Sequence, residues 1–365
     1  MLKRAFKKCV SCLTHCTNQH RGADDGSGWE DDKNLSYEDL RNHAYGQFST
    51  AVVQANANLE DRLQVEVGRQ ATFVGVYDGH AGADAAEYVN GHLFGHLTRL
   101  ARQDGRISED IIRNAFAATE SGLLNHVRNG SVPRITGTCC LVGIMWNGKV
   151  FVANLGDSRV VTGYVSTKCK SGVIAFPISD DHNANVQHIR NELFQLHRED
   201  PGIASVKRDR WRVKGILQVT RSIGDFYLKH QEFHLDESFG KFYVRDPIVK
   251  PVIRADPELQ VWEIRSDSCK FFIFASDGLW DQLTNQEVVD MVQQNPREGI
   301  ARRLAVRAMS KAAAIKGKKY VYLKSVTAET RRTFHDDISV VVIFVDNLQP
   351  VDEGTSTSVQ SNFNF

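Results

Sequence analysis

Two stretches far apart in the chain share one design, an apolar run that ends on aspartate and glycine. Thr72 to Tyr77 runs into Asp78-Gly79-His80, and Phe271 to Ser276 runs into Asp277-Gly278. Short apolar runs bounded in this way read as buried strands. A strand in a sheet is a rigid mount, so each aspartate is held at a sheet end. Read singly, Asp-Gly is turn chemistry. Brought together, two such ends make a hard, oxygen-lined metal site.

The order of elements narrows the fold. Val65 to Val67 and Thr72 to Tyr77 pattern as an antiparallel pair. Ala83 to Arg102 and Ser108 to Val127 carry apolar residues at helical spacing, among them Val89, Leu93, Leu97, Ile112, Phe116 and Leu123. Cys139 to Trp146, Lys149 to Leu155 and Arg159 to Val165 are three strand patterns, the first two joined by Asn147-Gly148, a hairpin turn. Thr284 to Glu287 is a capping box that opens a helix ending at Pro296, Arg297 to Lys316 is a further helix, and Ile338 to Val345 is a buried strand. Strands, two helices, many strands, two helices and a last strand are not βαβ alternation. The order predicts an α+β layered domain with antiparallel sheets and helices packed outside. One catalytic domain is expected over 46–347. A flexible arm is expected over 1–45 and a disordered tail over 348–365, where Ser, Thr, Asn and Gln dominate.

The chain has 365 residues, 42% hydrophobic and 24% charged, with a formal net charge of +1. That balance supports a real core and gives no global field toward nucleic acid or membrane. Its seven cysteines are an odd number without disulfide-framework spacing, and Met1 to His20 lacks the apolar run of a secretory signal. A reducing, intracellular setting, cytoplasmic or nuclear, is expected.

Acidic residues cluster at strand ends: Glu60-Asp61, Asp78, Asp157, Asp277, Asp281 and Asp336-Asp337. Gathered in one place they repel and raise one another's pKa, which a divalent cation relieves. Oxygen-only ligands suit Mg²⁺ or Mn²⁺ rather than Zn²⁺. The chain has no Cys-x5-Arg loop, no Gly-x4-Gly-Lys-Ser/Thr loop, no Gly-x-Ser-x-Gly elbow and no His-Glu-x-x-His motif. Metal-assisted hydrolysis is what remains.

Seven blocks carry a resemblance: Glu60-Asp61, Val76 to His80, Thr136-Gly137-Thr138, Gly156 to Arg159, Thr220 to Asp225, Ala275 to Asp281 and Asp336 to Val340. In this order and together they resemble the type 2C metal-dependent protein serine/threonine phosphatases. Val53 to Asn56, Trp211 to Gly215 and Phe334 to Asp337 resemble the plant subgroup called clade D. The resemblance implies an αββα sandwich of two central antiparallel sheets with a binuclear metal centre at one end. It implies that Asp78 bridges two Mg²⁺ or Mn²⁺ ions and that the Gly79 carbonyl binds one of them. Glu60 and Asp61 act mainly through metal-bound waters, and Asp277 and Asp336 complete the pair. Asp157 and Asp281, with Asp277, match the positions that hold a weaker third ion in relatives. The implied reaction is hydrolysis of phosphoserine or phosphothreonine in proteins by a metal-bridging hydroxide, with no covalent intermediate and with His80 as proton donor to the leaving alkoxide.

Three departures from the family pattern matter. An arginine that grips the substrate phosphate in many relatives is replaced by Asn56, so Arg212, Lys214 and Arg221 become candidates for that role. Ala81 stands where glycine is usual. Asp337 stands where asparagine is common, leaving Asp336 as the expected ligand and Asp337 as its alternative. Arg159 and Asp225 read as structural. The subgroup resemblance implies a plasma-membrane proton pump among the phosphoprotein substrates and small auxin-induced proteins as inhibitors. A monomer is expected, with no nucleic-acid partner. Cys9, Cys12 and Cys16 among Lys3, Arg4, Lys7 and Lys8 would suit an S-acylated arm at the plasma membrane, against a transit peptide or plain disorder. Two rival classes are a catalytically dead phosphatase fold used as a binding module and a different metallohydrolase. The complete acid set argues against the first, and the near-neutral charge against a nuclease.

Overall fold

A computed structural model of the chain describes residues 32–165, 172–246, 248–264 and 269–346. The expected S-acylated arm and the tail lie outside the described residues. Two antiparallel sheets form the centre. One has five strands in the order Glu258–Glu263, Lys149–Leu155, Cys140–Trp146, Ala71–Tyr77, Arg62–Val67. The other has six, in the order Leu35–His43, Gly46–Val53, Ile338–Val345, Cys269–Ala275, Arg159–Val165, Val173–Pro177.

Strand alternation assigns each side chain to a layer. In the last strand Ile338, Val340, Val342 and Phe344 face the helices Asn285–Gln294 and Ile300–Ile315, while Val341 and Ile343 face the other sheet. In Cys140–Trp146, Leu141 and Met145 point between the sheets, and Cys140, Val142 and Ile144 pack toward Asp84–Asp104 and Glu109–Arg128. Both faces of each sheet are therefore covered, which is why these strands read as unbroken apolar runs. Each fully buried Val, Ile, Leu or Phe contributes roughly 1.5–3 kcal/mol of transfer free energy. The result is the expected αββα sandwich.

Local signals explain the element ends. Asn147 and Gly148 both take positive φ, 50° and 70°, and close the hairpin. Ser108 caps the second helix through Ile111 N–H, Gly105 ends the first at φ 72°, and the capping box at Thr284 and Glu287 is formed. The expected arm is corrected at its C-terminal end, because Leu35–His43 is an edge strand paired along Gly46–Val53. Its polar sequence, with Glu38, Asp39, Arg41 and Asn42, lacks the apolar signature of the inner strands, as edge strands do.

Candidate metal centre

Sheet register alone brings the acidic blocks to one end of the sandwich. Arg62 pairs with Tyr77, so Asp61 and Asp78 are the next residues outward on neighbouring strands. Ala275 pairs with both Val340 and Arg159, which sets Asp277, Asp157 and the Asp336-Asp337 segment around the same end of the second sheet. Two chain crossovers between the sheets pass here. One links Gly46–Val53 to Arg62–Val67 and carries Glu60 and Asp61. The other links Lys149–Leu155 to Arg159–Val165 and carries Asp157.

The glycines of the two Asp-Gly blocks are not turn residues. Neither has positive φ. A Cβ on Gly79 would lie 2.5 Å from the Glu60 carbonyl oxygen, and one on Gly278 would lie 2.0 Å from the Asp337 carbonyl oxygen. Each glycine thus admits the backbone that delivers a further acidic block to the site.

Asp61 is buried and accepts a hydrogen bond from Ser276 Oγ at 2.8 Å. Glu60 accepts from Gly82 N–H at 2.7 Å. Asp157 accepts from Asn183 Nδ2 at 2.7 Å and from the Cys139 thiol at 3.2 Å. Asp78 Oδ2 is buried with no hydrogen-bond partner. Burial, then the charges of Asp277, Asp61, Asp157 and Asp336, push the Asp78 carboxyl well above its usual range. Burial and the charges of Asp157, Asp336, Asp281 and Asp61 do the same to Asp277, and burial with Asp337 does so to Asp61. Ligand atoms of Asp78, Cys139 and Asp157 lie within 4.8 Å of one another. Crowded, under-bonded carboxylates of this kind fit divalent cations with oxygen ligands. Asp281 sits at the exposed C-terminal end of the short helix Asp277–Trp280, its charge reaching Asp277.

Asp336 and Asp337 have separate tasks. Asp337 is buried and clamps the crossover loop: Oδ1 accepts from Ala55 N–H at 2.6 Å and Asn56 N–H at 2.9 Å, and Oδ2 accepts from Glu60 N–H at 2.7 Å. Asp336 faces the acid cluster, with Oδ1 taking Asn56 Nδ2 at 3.2 Å and Oδ2 paired with Arg332 at 2.5 Å. Both oxygens of Asp337 are thus engaged by the loop, while Asp336 is among the charges that reach Asp78 and Asp277.

His80 Nε2 lies 2.7 Å from Asp225 Oδ2, which also accepts from Ser222 Oγ at 2.6 Å. Burial alone would lower the His80 pKa, but the Asp225 carboxylate overrides this and raises it. Asp225 is fully buried and holds the left-handed conformation at φ 50°, a constraint typical of functional sites. Beneath it Lys229 pairs with Glu120 at 2.7 Å and donates to the Ser222 carbonyl. Reading Asp225 as structural from sequence missed this contact with His80. Thr220 to Asp225 was visible as a block, but the partner of its aspartate, 145 residues away, was not. Arg159 is structural as expected: it bonds Asp181 and Asn285 and lies over Trp280.

The three expected phosphate-binding cations each have partners outside the acid cluster. Arg212 donates to the Ile216 carbonyl, Lys214 pairs with Asp200, and Arg221 sits between Glu192 and Asp256. None is among the main charge neighbours of Asp78, Asp277 or Asp336. The partners of Arg212 and Lys214 lie around the Ala204–Lys207 and Arg210–Val213 hairpin and those of Arg221 on Glu192 and Asp256, pairings the sequence blocks gave no means of placing.

Two stacked antiparallel sheets with buried carboxylates converging at one end form a site that fits divalent cations. Residues 41–319 match the family model described as Protein phosphatase 2C. The chain is 49% identical over 363 residues to "Probable protein phosphatase 2C 43" of Oryza sativa subsp. japonica, covering 97% of this chain and 93% of that one. It is 49% identical over 315 residues to "Probable protein phosphatase 2C 68" of Arabidopsis thaliana, covering 85% and 80%. Among solved structures, a serine-threonine phosphatase 2C from Toxoplasma gondii superposes with a TM-score of 0.55 at 15% identity, covering 86% of this chain and 99% of that one. That likeness carries the fold alone. The chain belongs to the protein phosphatase 2C family and is a metal-dependent protein serine/threonine phosphatase. Asp336, Asp337 and the strand Ile338–Val345 lie beyond the matched residues, yet they complete the acid cluster and the six-stranded sheet.

Proposed function

We propose that Asp78, Asp277 and Asp336, with the Gly79 carbonyl and with Glu60 and Asp61 acting mainly through water, hold a pair of Mg²⁺ or Mn²⁺ ions, and that Asp157 and Asp281 hold a weaker third. The observation that carries this is the buried, unpartnered Asp78 Oδ2 among four other carboxylates whose charges reach it. When bound, such ions supply a nucleophile at neutral pH and neutralise phosphoryl charge. The residues of the chain do the rest. Ser276 and Asn183 fix the Asp61 and Asp157 carboxylates by hydrogen bonds, so that their oxygens are preorganised. Asp225 orients the His80 ring and favours its protonated form. Water supplies the new phosphorus–oxygen bond as the bond to serine or threonine breaks, and the leaving alkoxide would take its proton from His80. No side chain becomes phosphorylated in this scheme.

The substrates are phosphorylated proteins. The subgroup resemblance supports a plasma-membrane proton pump as one of them, inhibition by small auxin-induced proteins, and a monomeric enzyme. Among the described residues no helix is long and apolar enough to cross a membrane. We place the enzyme in the cytoplasm or nucleus, with plasma-membrane contact through the N-terminal arm, and fractionation of a Cys9/Cys12/Cys16→Ser variant tests that contact. The reaction is tested by manganese-dependent phosphate release from a phosphothreonine peptide. Release is expected to vanish in Asp78→Asn and in EDTA, and metal-independent release would refute the mechanism.

A further inference from the structure

A phosphate monoester arrives at this centre carrying close to two negative charges at neutral pH, at the mouth of a cluster that is itself acidic. The metal ions answer part of that charge, and a side-chain cation at the open edge would answer the rest. Arg212, Lys214 and Arg221 are engaged elsewhere, and Arg159 is locked by Asp181, Asn285 and Trp280. Arg332 is different. It ends the short helix Ala328–Arg332, and its guanidinium lies 2.5 Å from Asp336 Oδ2 with 48% of its side chain exposed. It is the foremost cationic influence on Asp336. Its base is rigid. The neighbouring Arg331 is 1% exposed, donates to the Leu323 carbonyl, and faces Asp32 at 3.7 Å.

We propose that Arg332 is the side chain that receives the substrate phosphoryl group. This rests on the phosphatase reading above. The guanidinium pairs with Oδ2 of Asp336, the carboxylate that would hold a cation. A divalent ion held there would neutralise that carboxylate and weaken the ion pair. The guanidinium is then free at the edge of the centre, and a planar, five-donor fork suits the oxygens of a phosphoryl group. Asn56 approaches the same carboxylate from its other oxygen, so an arginine introduced at position 56 starts from the same edge of the centre.

The test compares wild type, Arg332→Ala, Arg332→Lys and Asn56→Arg/Arg332→Ala, all loaded with Mn²⁺. Measured are KM and kcat for a phosphothreonine peptide, the inhibition constant of inorganic phosphate, the Mn²⁺-induced broadening of the inorganic phosphate ³¹P signal, and Mn²⁺ affinity by calorimetry. Losing one charge-assisted contact of about 1.4 kcal/mol raises a dissociation constant about tenfold. Arg332→Ala is expected to raise KM and the phosphate inhibition constant about that much and to weaken the ³¹P broadening. Its kcat is expected to stay within about threefold, and its Mn²⁺ affinity to be unchanged or higher, because a competitor for Asp336 is gone. Arg332→Lys is expected to fall between, and the double variant to recover phosphate affinity. An unchanged phosphate inhibition constant in Arg332→Ala would overturn the proposal. So would a loss of Mn²⁺ affinity matching the loss of activity, which would make Arg332 a support for Asp336. A wild-type enzyme without manganese-dependent activity would overturn the phosphatase mechanism itself, a result separable from either.

Discussion

Single atoms decide where this site can form. A Cβ on Gly278 would lie 2.0 Å from the Asp337 carbonyl oxygen, so a methyl group there must displace the backbone. Gly278→Ala is expected to cost about 2–3 kcal/mol in urea unfolding, the upper range of overpacking, and to lower activity with it. A cost under about 0.5 kcal/mol, the level of an ordinary surface change, would show that the close approach is not needed. Ala81 poses the opposite case. It holds φ at 58°, where a side chain is strained. Ala81→Gly is therefore expected to stabilise by about 1 kcal/mol despite the added freedom of the unfolded chain. Asp225 acts through another residue, since it is fully buried and bonds His80 Nε2. Asp225→Asn is expected to lower kcat about 10- to 100-fold, as losses of orienting partners do, with KM for the phosphopeptide little changed. A parallel change in both would point to general unfolding of the segment instead.

At the scale of elements, the crossover loop that carries Glu60 and Asp61 hangs on one side chain. Asp337 satisfies three backbone N–H groups with its two oxygens. Asp337→Ala orphans them, and each buried orphan costs roughly 1–3 kcal/mol, so a loss of at least about 3 kcal/mol is expected by chemical denaturation. Sequence could show an extra carboxylate beside Asp336 but not its purpose, because the loop it holds lies 277 residues away. The edge strand Leu35–His43 was equally hidden, being polar on a sheet margin. Its last residue offers a pH test. His43 is buried between Thr72 and the Phe344 carbonyl, and burial lowers its pKa below 6.5. The unfolded chain therefore binds a proton that the folded one refuses. The His43 contribution is full above pH 6.5 and is lost as pH falls from there toward the lowered value. Replacing His43 with glutamine is expected to flatten the stability profile between about pH 7 and 5, measured by thermal unfolding.

At the scale of the molecule, much of the architecture was legible because both sheets are covered on both faces, so inner strands are unbroken apolar runs and helices carry clear periodicity. The acid set was legible for the same reason: its members flank those strands. What could not be read was anything decided by approach between distant segments, such as the His80–Asp225 pair and the partners of Arg221. The same convergence gives the whole molecule a dependence on cations. In the metal-free chain Asp61, Asp78 and Asp277 have raised pKa values through burial first and mutual charge second. Raising the pH above the unfolded carboxylate value of 3.8 and through those raised values forces charge into the cluster and costs stability. Bound cations remove that cost, so Mn²⁺ is expected to raise the melting temperature more at pH 8 than at pH 5.5, and EDTA to abolish the difference. The most direct test is calorimetric titration of Mn²⁺ into wild type and Asp78→Asn at neutral pH. The two Asp-Gly blocks forming one centre requires at least a tenfold loss of affinity when Asp78 is neutralised, about 1.4 kcal/mol. Equal affinity and stoichiometry in the two proteins would contradict it.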